Sequence, residues 1–150
     1  TNISNTLARN TEITAVQPDS WIITTDNTTI IHTGVPGVAL KLNGLPWNAC
    51  EGDGVIIPKG THKLEMSQQP PDHELNHLIS ISGELISAGF KPGAMEFTYS
   101  EDIVVCYITI DKLPSSIFID GKKTDCQVFK NSNAEFTIKL PAGLHKVRIL

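Results

Sequence analysis

Residues 138–149 read Ile-Lys-Leu-Pro-Ala-Gly-Leu-His-Lys-Val-Arg-Ile, and residues 55–66 read Val-Ile-Ile-Pro-Lys-Gly-Thr-His-Lys-Leu-Glu-Met. Each stretch is a short apolar run followed by a Pro-x-Gly turn, a histidine and an alternating strand. Upstream of them, Leu-Asn-Gly at 42–44 corresponds to Ile-Asp-Gly at 119–121. The chain therefore contains an internal repeat, with roughly 60 to 70 residues in each copy.

The shared residues predict a strand–turn–strand unit in each repeat. Asn-Gly and Asp-Gly supply positive φ angles for a tight hairpin turn, while Pro-x-Gly makes the next turn. His62 and His145 are equivalent, so we expect them to hydrogen-bond a turn and not to bind a ligand. The period of two predicts which side chains face the core: Leu40, Leu42, Leu64 and Met66 in the first repeat, and Ile117, Ile119, Val147 and Ile149 in the second.

The alignment extends upstream, where the strand that begins at Trp21 is matched to the strand that begins at Met95. The second repeat is six residues longer than the first between its turn glycine and its proline. We expect the extra residues to lie in a long loop from Lys122 to Ala134.

Short apolar runs separated by Gly, Pro, Asn and Asp continue along the whole chain. Such runs, with turn signals about every 8 to 12 residues, are typical of all-β sandwiches and barrels. We therefore predict an all-β fold of two tandem, homologous Ig-like β-sandwich halves that pack together. The predicted boundaries are 1–68 for the first repeat, 69–77 for a Pro-rich linker and 78–150 for the second repeat.

Composition excludes several classes of partner. The chain has 150 residues and a formal net charge of -4, with Lys and Arg scattered singly, so it lacks the basic patch that nucleic acid requires. Its longest apolar stretches, such as Ile103 to Ile110, fall short of the roughly 20 residues that cross a bilayer. We expect neither a nucleic-acid nor a membrane partner. The ends at Thr1 and Leu150 suggest a mature product or a piece of a longer protein.

The hairpin of the second repeat carries a family resemblance. Ile117 to Lys122 with Leu140 to Ile149, and more weakly the first-repeat equivalents, resemble the hairpin of PEGA-type modules. They are also similar to all-β domains at the C-terminal end of bacterial enzymes that act on polysaccharides. The resemblance implies an extracellular or cell-surface, non-catalytic β-sandwich that neighbours other domains, for example those of a glycoside hydrolase. It assigns no catalytic residues.

One loop has the composition of a ligand site. Trp47 is followed by Asn48, Glu51 and Asp53, and this set suits either a sugar, through stacking and hydroxyl contacts, or a weakly bound Ca²⁺. The alternative is that Trp47 folds back over the edge of the sandwich. Secondary aromatic candidates are Tyr99, Phe90 and Phe129.

The sharpest catalytic motif is His73-Glu74-Leu75-Asn76-His77, an HExxH pattern. On a helix it would bind zinc through His73 and His77, with Glu74 as general base. However, it follows two prolines and precedes a strand pattern, which leaves barely two helical turns. We therefore prefer a solvated linker and expect no metal and no other cofactor.

Three cysteines are too few for a disulfide scaffold and too widely spaced for a zinc cluster. Cys50 and Cys126 fall in equivalent loops, which leaves open one bridge between them. Cys106 lies in an apolar run and is expected to be a buried thiol.

Together these observations favour a non-catalytic accessory module of a secreted bacterial polysaccharide-active protein, which binds carbohydrate. Two alternatives stay open. One is a structural spacer or protein-docking module without a ligand, and the other is a small zinc hydrolase that uses the HELNH segment.

Overall fold

The computed structural model describes residues 4–5, 11–67, 76–91 and 94–150. Turn residues separate the strands, and a 3-10 turn occupies Gly37–Ala39. The strands of the first repeat are β1 (Ser4–Asn5), β2 (Thr11–Gln17), β3 (Ser20–Thr25), β4 (Thr29–His32), β5 (Leu40–Leu42), β6 (Leu45–Pro46), β7 (Cys50–Glu51), β8 (Gly54–Ile57) and β9 (Gly60–Met66). Those of the second are β10 (Leu78–Ile81), β11 (Glu84–Lys91), β12 (Ala94–Glu101), β13 (Cys106–Ile110), β14 (Ile117–Ile119), β15 (Lys122–Lys123), β16 (Val128–Lys130), β17 (Phe136–Leu140) and β18 (Gly143–Ile149).

These strands form antiparallel sheets whose order repeats. Sheet I is β1-β4-β8-β7 and sheet II is β2-β3-β9-β5-β6. Sheet III is β10-β13-β17-β16 and sheet IV is β11-β12-β18-β14-β15. They have the same orders as sheets I and II, with nine added to each strand number. The predicted repeat and the all-β class are confirmed. The four sheets form a propeller-like arrangement, in which two separate sandwich halves are not evident.

The inward side chains of both repeats belong to one continuous hydrophobic cluster. Leu64 and Val147 are completely buried at equivalent positions, and the neighbouring Lys63 and Lys146 are exposed, as the alternation predicts. Because the cluster runs through both repeats, each repeat completes the core of the other.

The repeats also meet at the outer face of sheet I. Ile56 points outward between Val55 and Ile57, yet it is buried, and residues 80–83, which are the end of β10 and the turn after it, lie beside it. The equivalent outward residue in sheet III is Lys139, which is exposed. The first repeat therefore has an uninterrupted apolar strand because its sheet is covered on both faces.

The strand register corrects the upstream alignment by two residues. Trp21 pairs with Leu64, and Phe97 pairs with Val147, so Trp21 is equivalent to Phe97 and not to Met95. Because a two-residue shift keeps every side chain on the same face, the alternating pattern does not distinguish the two alignments. Trp21 is buried in the core, as expected.

The segment from Lys122 to Ala134 is not one long loop. It contains β15 and β16, and β16 pairs with β17 through Val128 opposite Ile138. The additional residues of the second repeat thus lengthen a hairpin. Within the apolar stretch from Ile103 to Ile110, the strand begins only at Cys106, and Ile103 itself is 88% exposed.

Equivalent hydrogen-bonded turns hold β9 and β18. In the first repeat Asn43, at φ 53°, accepts a bond from the Lys63 N–H (2.9 Å) and donates one to the Lys63 carbonyl (2.8 Å). Asp120, at φ 52°, makes the same two bonds to Lys146 (2.9 and 2.8 Å). Asn and Asp tolerate this left-handed conformation better than other side chains do.

A histidine closes each turn, as the repeat predicts. His62 lies between Asn43 Nδ2 (2.9 Å) and the Lys59 carbonyl (3.1 Å). His145 lies between Asp120 Oδ2 (2.6 Å) and the Ala142 carbonyl (2.8 Å). His62 accepts one bond and donates the other, so a neutral ring suffices. His145 must donate both, which requires the imidazolium.

The hydrogen bond between Asp120 and His145 raises the pKa of His145 and lowers the pKa of Asp120 from their ordinary values. A raised histidine pKa contributes stability below the unfolded value of 6.5, and that stability is lost as pH rises through the folded pKa. A lowered aspartate pKa contributes stability above 3.8, which is lost as pH falls. The pair is therefore most stabilising between these two values.

Because His145 loses its charge as pH rises, the urea midpoint of the original chain should fall between pH 5.5 and pH 8, a range of about 2.5 units that brackets the histidine titration. We predict that Asp120→Asn makes the second turn neutral, like the first, and flattens this fall. Asn43→Asp should have the opposite effect, so that the urea midpoint falls more steeply over the same pH range. If both variants keep the pH profile of the original chain, the assignment of an imidazolium at His145 is wrong.

Candidate functional site

The loop predicted to bind a ligand does not present its residues on one surface. Trp47 is buried in the hydrophobic cluster, and its indole N–H donates to the Ile56 carbonyl at 2.8 Å. Asn48 is fully buried, and its Nδ2 donates to the Gly89 carbonyl of the second repeat. Neither side chain faces solvent as a sugar-stacking site requires.

Glu51 and Asp53 remain exposed at the β7–β8 turn. Asp53 contacts His32 Nδ1 at 3.2 Å and accepts a bond from the Gly34 N–H at 3.3 Å. The hydrogen bond with His32 lowers the pKa of Asp53. The carboxylate is thus engaged in fixing its own turn.

His73 and Glu74 of the HExxH motif lie outside the described residues, whereas Asn76 and His77 lie inside them. His77 is buried, which contradicts a solvated linker at this position. Its backbone N–H donates to Asp111 Oδ1 at 2.6 Å, and its Nδ1 lies 3.0 Å from Asp111 Oδ2. Burial favours a higher pKa for Asp111, but the bonds from His77 lower it overall.

Across the described part of the chain, no three His, Cys, Asp or Glu side chains are grouped so as to hold a metal ion. The three cysteines are free thiols, so the bridge between Cys50 and Cys126 is not formed. Cys50 lies opposite Val55 on β8 while Val128 lies opposite Ile138, which makes Val128, not Cys126, the equivalent of Cys50. Burial raises the pKa of Cys50 to about 11, so this thiol stays protonated and unreactive. Cys106 is buried, as expected.

The outer face of sheet IV carries a cleft that the sequence analysis did not single out. Its larger part has a volume of about 390 Å³, and an adjoining part has about 270 Å³. We call the two parts together the sheet IV cleft. The larger part is lined by Leu45, Ser87, Ala88, Gly89, Glu96, Phe97, Thr98 and Lys146, and the adjoining part by Glu96, Phe118, Gly121, Lys146 and Arg148.

Four side chains stand in register across this face, and we call them the cross-strand row. Glu96 pairs with Arg148, Arg148 with Phe118, and Phe118 with Lys123. Directly paired residues of antiparallel strands share a face, with Cβ atoms about 5 Å apart. The Arg148 guanidinium lies over the Phe118 ring, 5.9 Å from its centroid. The row thus places an aromatic ring, two cations and a carboxylate side by side.

Lys146 joins the two parts of the cleft. Its Nζ lies 3.8 Å from Glu96 Oε2, and its side chain is 64% exposed. Ser87 and Thr98, which both carry a hydroxyl group, also line the larger part. A Cβ added at Gly89 would meet no atom within 4 Å, so the space beside this lining residue is open. The surface combines hydroxyl, charged and aromatic groups in one concave site.

A signal for this site was present in the sequence. Phe118 and Arg148 occupy outward positions of alternating strands, where the first repeat has Lys41 and Glu65. An aromatic residue at an outward position where the other repeat has lysine indicates a surface with a different use. What the sequence lacked was the pairing that puts the two residues side by side.

No helix in the described ranges is long and apolar enough to cross a membrane. In comparisons with known proteins, no family model, no curated protein and no solved structure matches the chain.

We predict that Asp111→Ala lowers the free energy of unfolding by about 2 kcal/mol, because it leaves the buried N–H and ring nitrogen of His77 without their acceptor. Urea denaturation gives the value. Asp125→Ala, which removes an exposed carboxylate, is the control and should change stability by less than about 0.5 kcal/mol. Equal effects of the two substitutions would contradict the role given to Asp111.

Proposed function

We propose that the chain is a non-catalytic accessory module that binds saccharide in the sheet IV cleft. The observation that carries this proposal is the cross-strand row, which sets the partly exposed ring of Phe118 beside charged side chains. The row lies in an open cleft whose larger part is also lined by Ser87 and Thr98. Saccharides are recognised by such combinations, since a flat ring packs on the apolar face of a pyranose while polar groups bind its hydroxyls.

The setting is part of the same proposal. The hairpins that resemble PEGA-type modules and the accessory domains of polysaccharide-active bacterial enzymes support a location outside the cell or at its surface, with other domains as neighbours. We also propose that each repeat acts as a β-sandwich unit. The presence of one four-stranded and one five-stranded sheet in each repeat supports this.

The alternative is a spacer or protein-docking module without a ligand. It is favoured by the burial of Trp47, which removes the aromatic residue that the loop offered. The two functions differ in one outcome, because a spacer binds no polysaccharide under any condition.

We predict that native affinity electrophoresis in gels containing a panel of soluble polysaccharides will retard the chain with at least one of them. Phe118→Ala should abolish the retardation, since it removes the ring from the cleft. Phe129→Ala is the matched control: Phe129 is 51% exposed on β16, outside the cleft, and its removal should leave retardation unchanged.

Thermal unfolding followed by circular dichroism establishes that both variants are folded. If no polysaccharide retards the chain, saccharide binding is wrong and the spacer or docking function is favoured. Retardation that survives Phe118→Ala would place the ligand elsewhere on the molecule.

A further inference from the structure

One position of the cross-strand row has the opposite charge in the first repeat. On sheet II the equivalent of Arg148 is Glu65, which lies 3.8 Å from the Lys41 Nζ and 3.6 Å from the Lys63 Nζ. That carboxylate is shared by two lysines on the same face. In the second repeat a guanidinium takes its place, and Phe118 replaces Lys41. The scaffold is common to both repeats, so the difference belongs to the surface alone.

Arg148 is available to a ligand. Among the described residues no salt bridge involves it, although Glu96 is its direct partner across the strands, because the Glu96 carboxylate bonds Lys146 instead. The Phe118 ring holds the guanidinium by a cation–π contact at 5.9 Å, which leaves the N–H donors in its plane unused. A guanidinium so held has less freedom to lose when it binds.

Two further cations flank this group. Lys123 stands next to Phe118 in the row, and Lys146 lines both parts of the cleft. Glu96 is the one carboxylate among the cleft-lining residues. The nearby Asp120 is bound to His145. The whole chain has a net charge of -4, so a cationic cleft is a local feature and not a reflection of composition.

We propose that the ligand of the sheet IV cleft is an acidic saccharide whose sugar units carry carboxylate groups, that is, a polyuronate. The inference rests on the proposed saccharide binding and adds the chemical class of the ligand. Arg148 binds a carboxylate in the bidentate manner that its planar fork allows. Lys123 and Lys146 neutralise neighbouring units, and Phe118 contacts the ring of the sugar.

The test compares one polyuronate with its carboxyl-reduced form, which keeps the backbone and linkage but loses the charge. Isothermal titration calorimetry with oligomers of both is expected to show at least about tenfold tighter binding of the acidic form, the size of one charge-assisted hydrogen bond. The affinity for the acidic form should fall as NaCl is added, while that for the reduced form should not. A sulfated neutral polysaccharide is a third ligand. It should bind more weakly than the polyuronate, because a sulfate ester is far less basic than a carboxylate and accepts weaker hydrogen bonds from the guanidinium.

Arg148→Gln is expected to weaken polyuronate binding about tenfold and to leave binding of the reduced form unchanged. Lys139→Gln is the matched control, because it removes the same charge from the outer face of sheet III, away from the cleft. Arg148→Lys keeps the charge without the fork and should have an intermediate affinity.

The outcomes separate the two proposals. Equal affinity for the acidic and the reduced oligomer overturns the polyuronate assignment but leaves saccharide binding intact. Equal losses in Arg148→Gln and Lys139→Gln, or equally tight binding of the sulfated polymer, would show general attraction of anions and also overturn it. Binding of no saccharide at all overturns the proposed function itself.

Discussion

The register of β18, and of its equivalent β9, is the constraint on which the rest of the structure depends. Asp120 fixes it by bonding both backbone groups of Lys146 and the ring of His145. Because side chains alternate along a strand, this register sends Val147 and Ile149 into the core and leaves Arg148 on the outer face. A slip by one residue would exchange the two sets, so the same few turn bonds determine both the core and the floor of the cleft.

Duplication separates what the scaffold needs from what the surface does. Inward positions keep their apolar character between the repeats, as Leu64 and Val147 illustrate, and the turn residues keep their hydrogen bonds. Outward positions have diverged: Ile56 corresponds to Lys139, and Glu65 to Arg148. The first difference has a structural cause, since the second repeat covers Ile56. The difference between Glu65 and Arg148 has no such cause, because both residues lie on an outer face. It is therefore an argument for a ligand at Arg148.

Much of the fold could be predicted from the sequence, because short-range patterns determine it. The longer strands, the hairpin turns and the role of His62 and His145 follow from alternation, from residues that tolerate positive φ and from repetition. The shortest strands, such as β15 and β16, were missed because two or three residues carry no period. The register of Trp21 was misjudged by two residues, an error that alternation cannot detect. The candidate site was not found, since its members, Arg148 and Phe118, lie thirty residues apart and become neighbours only through pairing.

The sequence by itself determined the all-β class, the repeat and the hydrogen-bonded turns, because each depends on residues close together in the chain. Only the tertiary structure decided which outward side chains are covered. Trp47 and Ile56 are buried in the assembled fold, whereas Arg148 stays exposed and Phe118 partly exposed. Whether an outward side chain is buried depends on elements distant in sequence that pack on its face, so no local pattern predicts it.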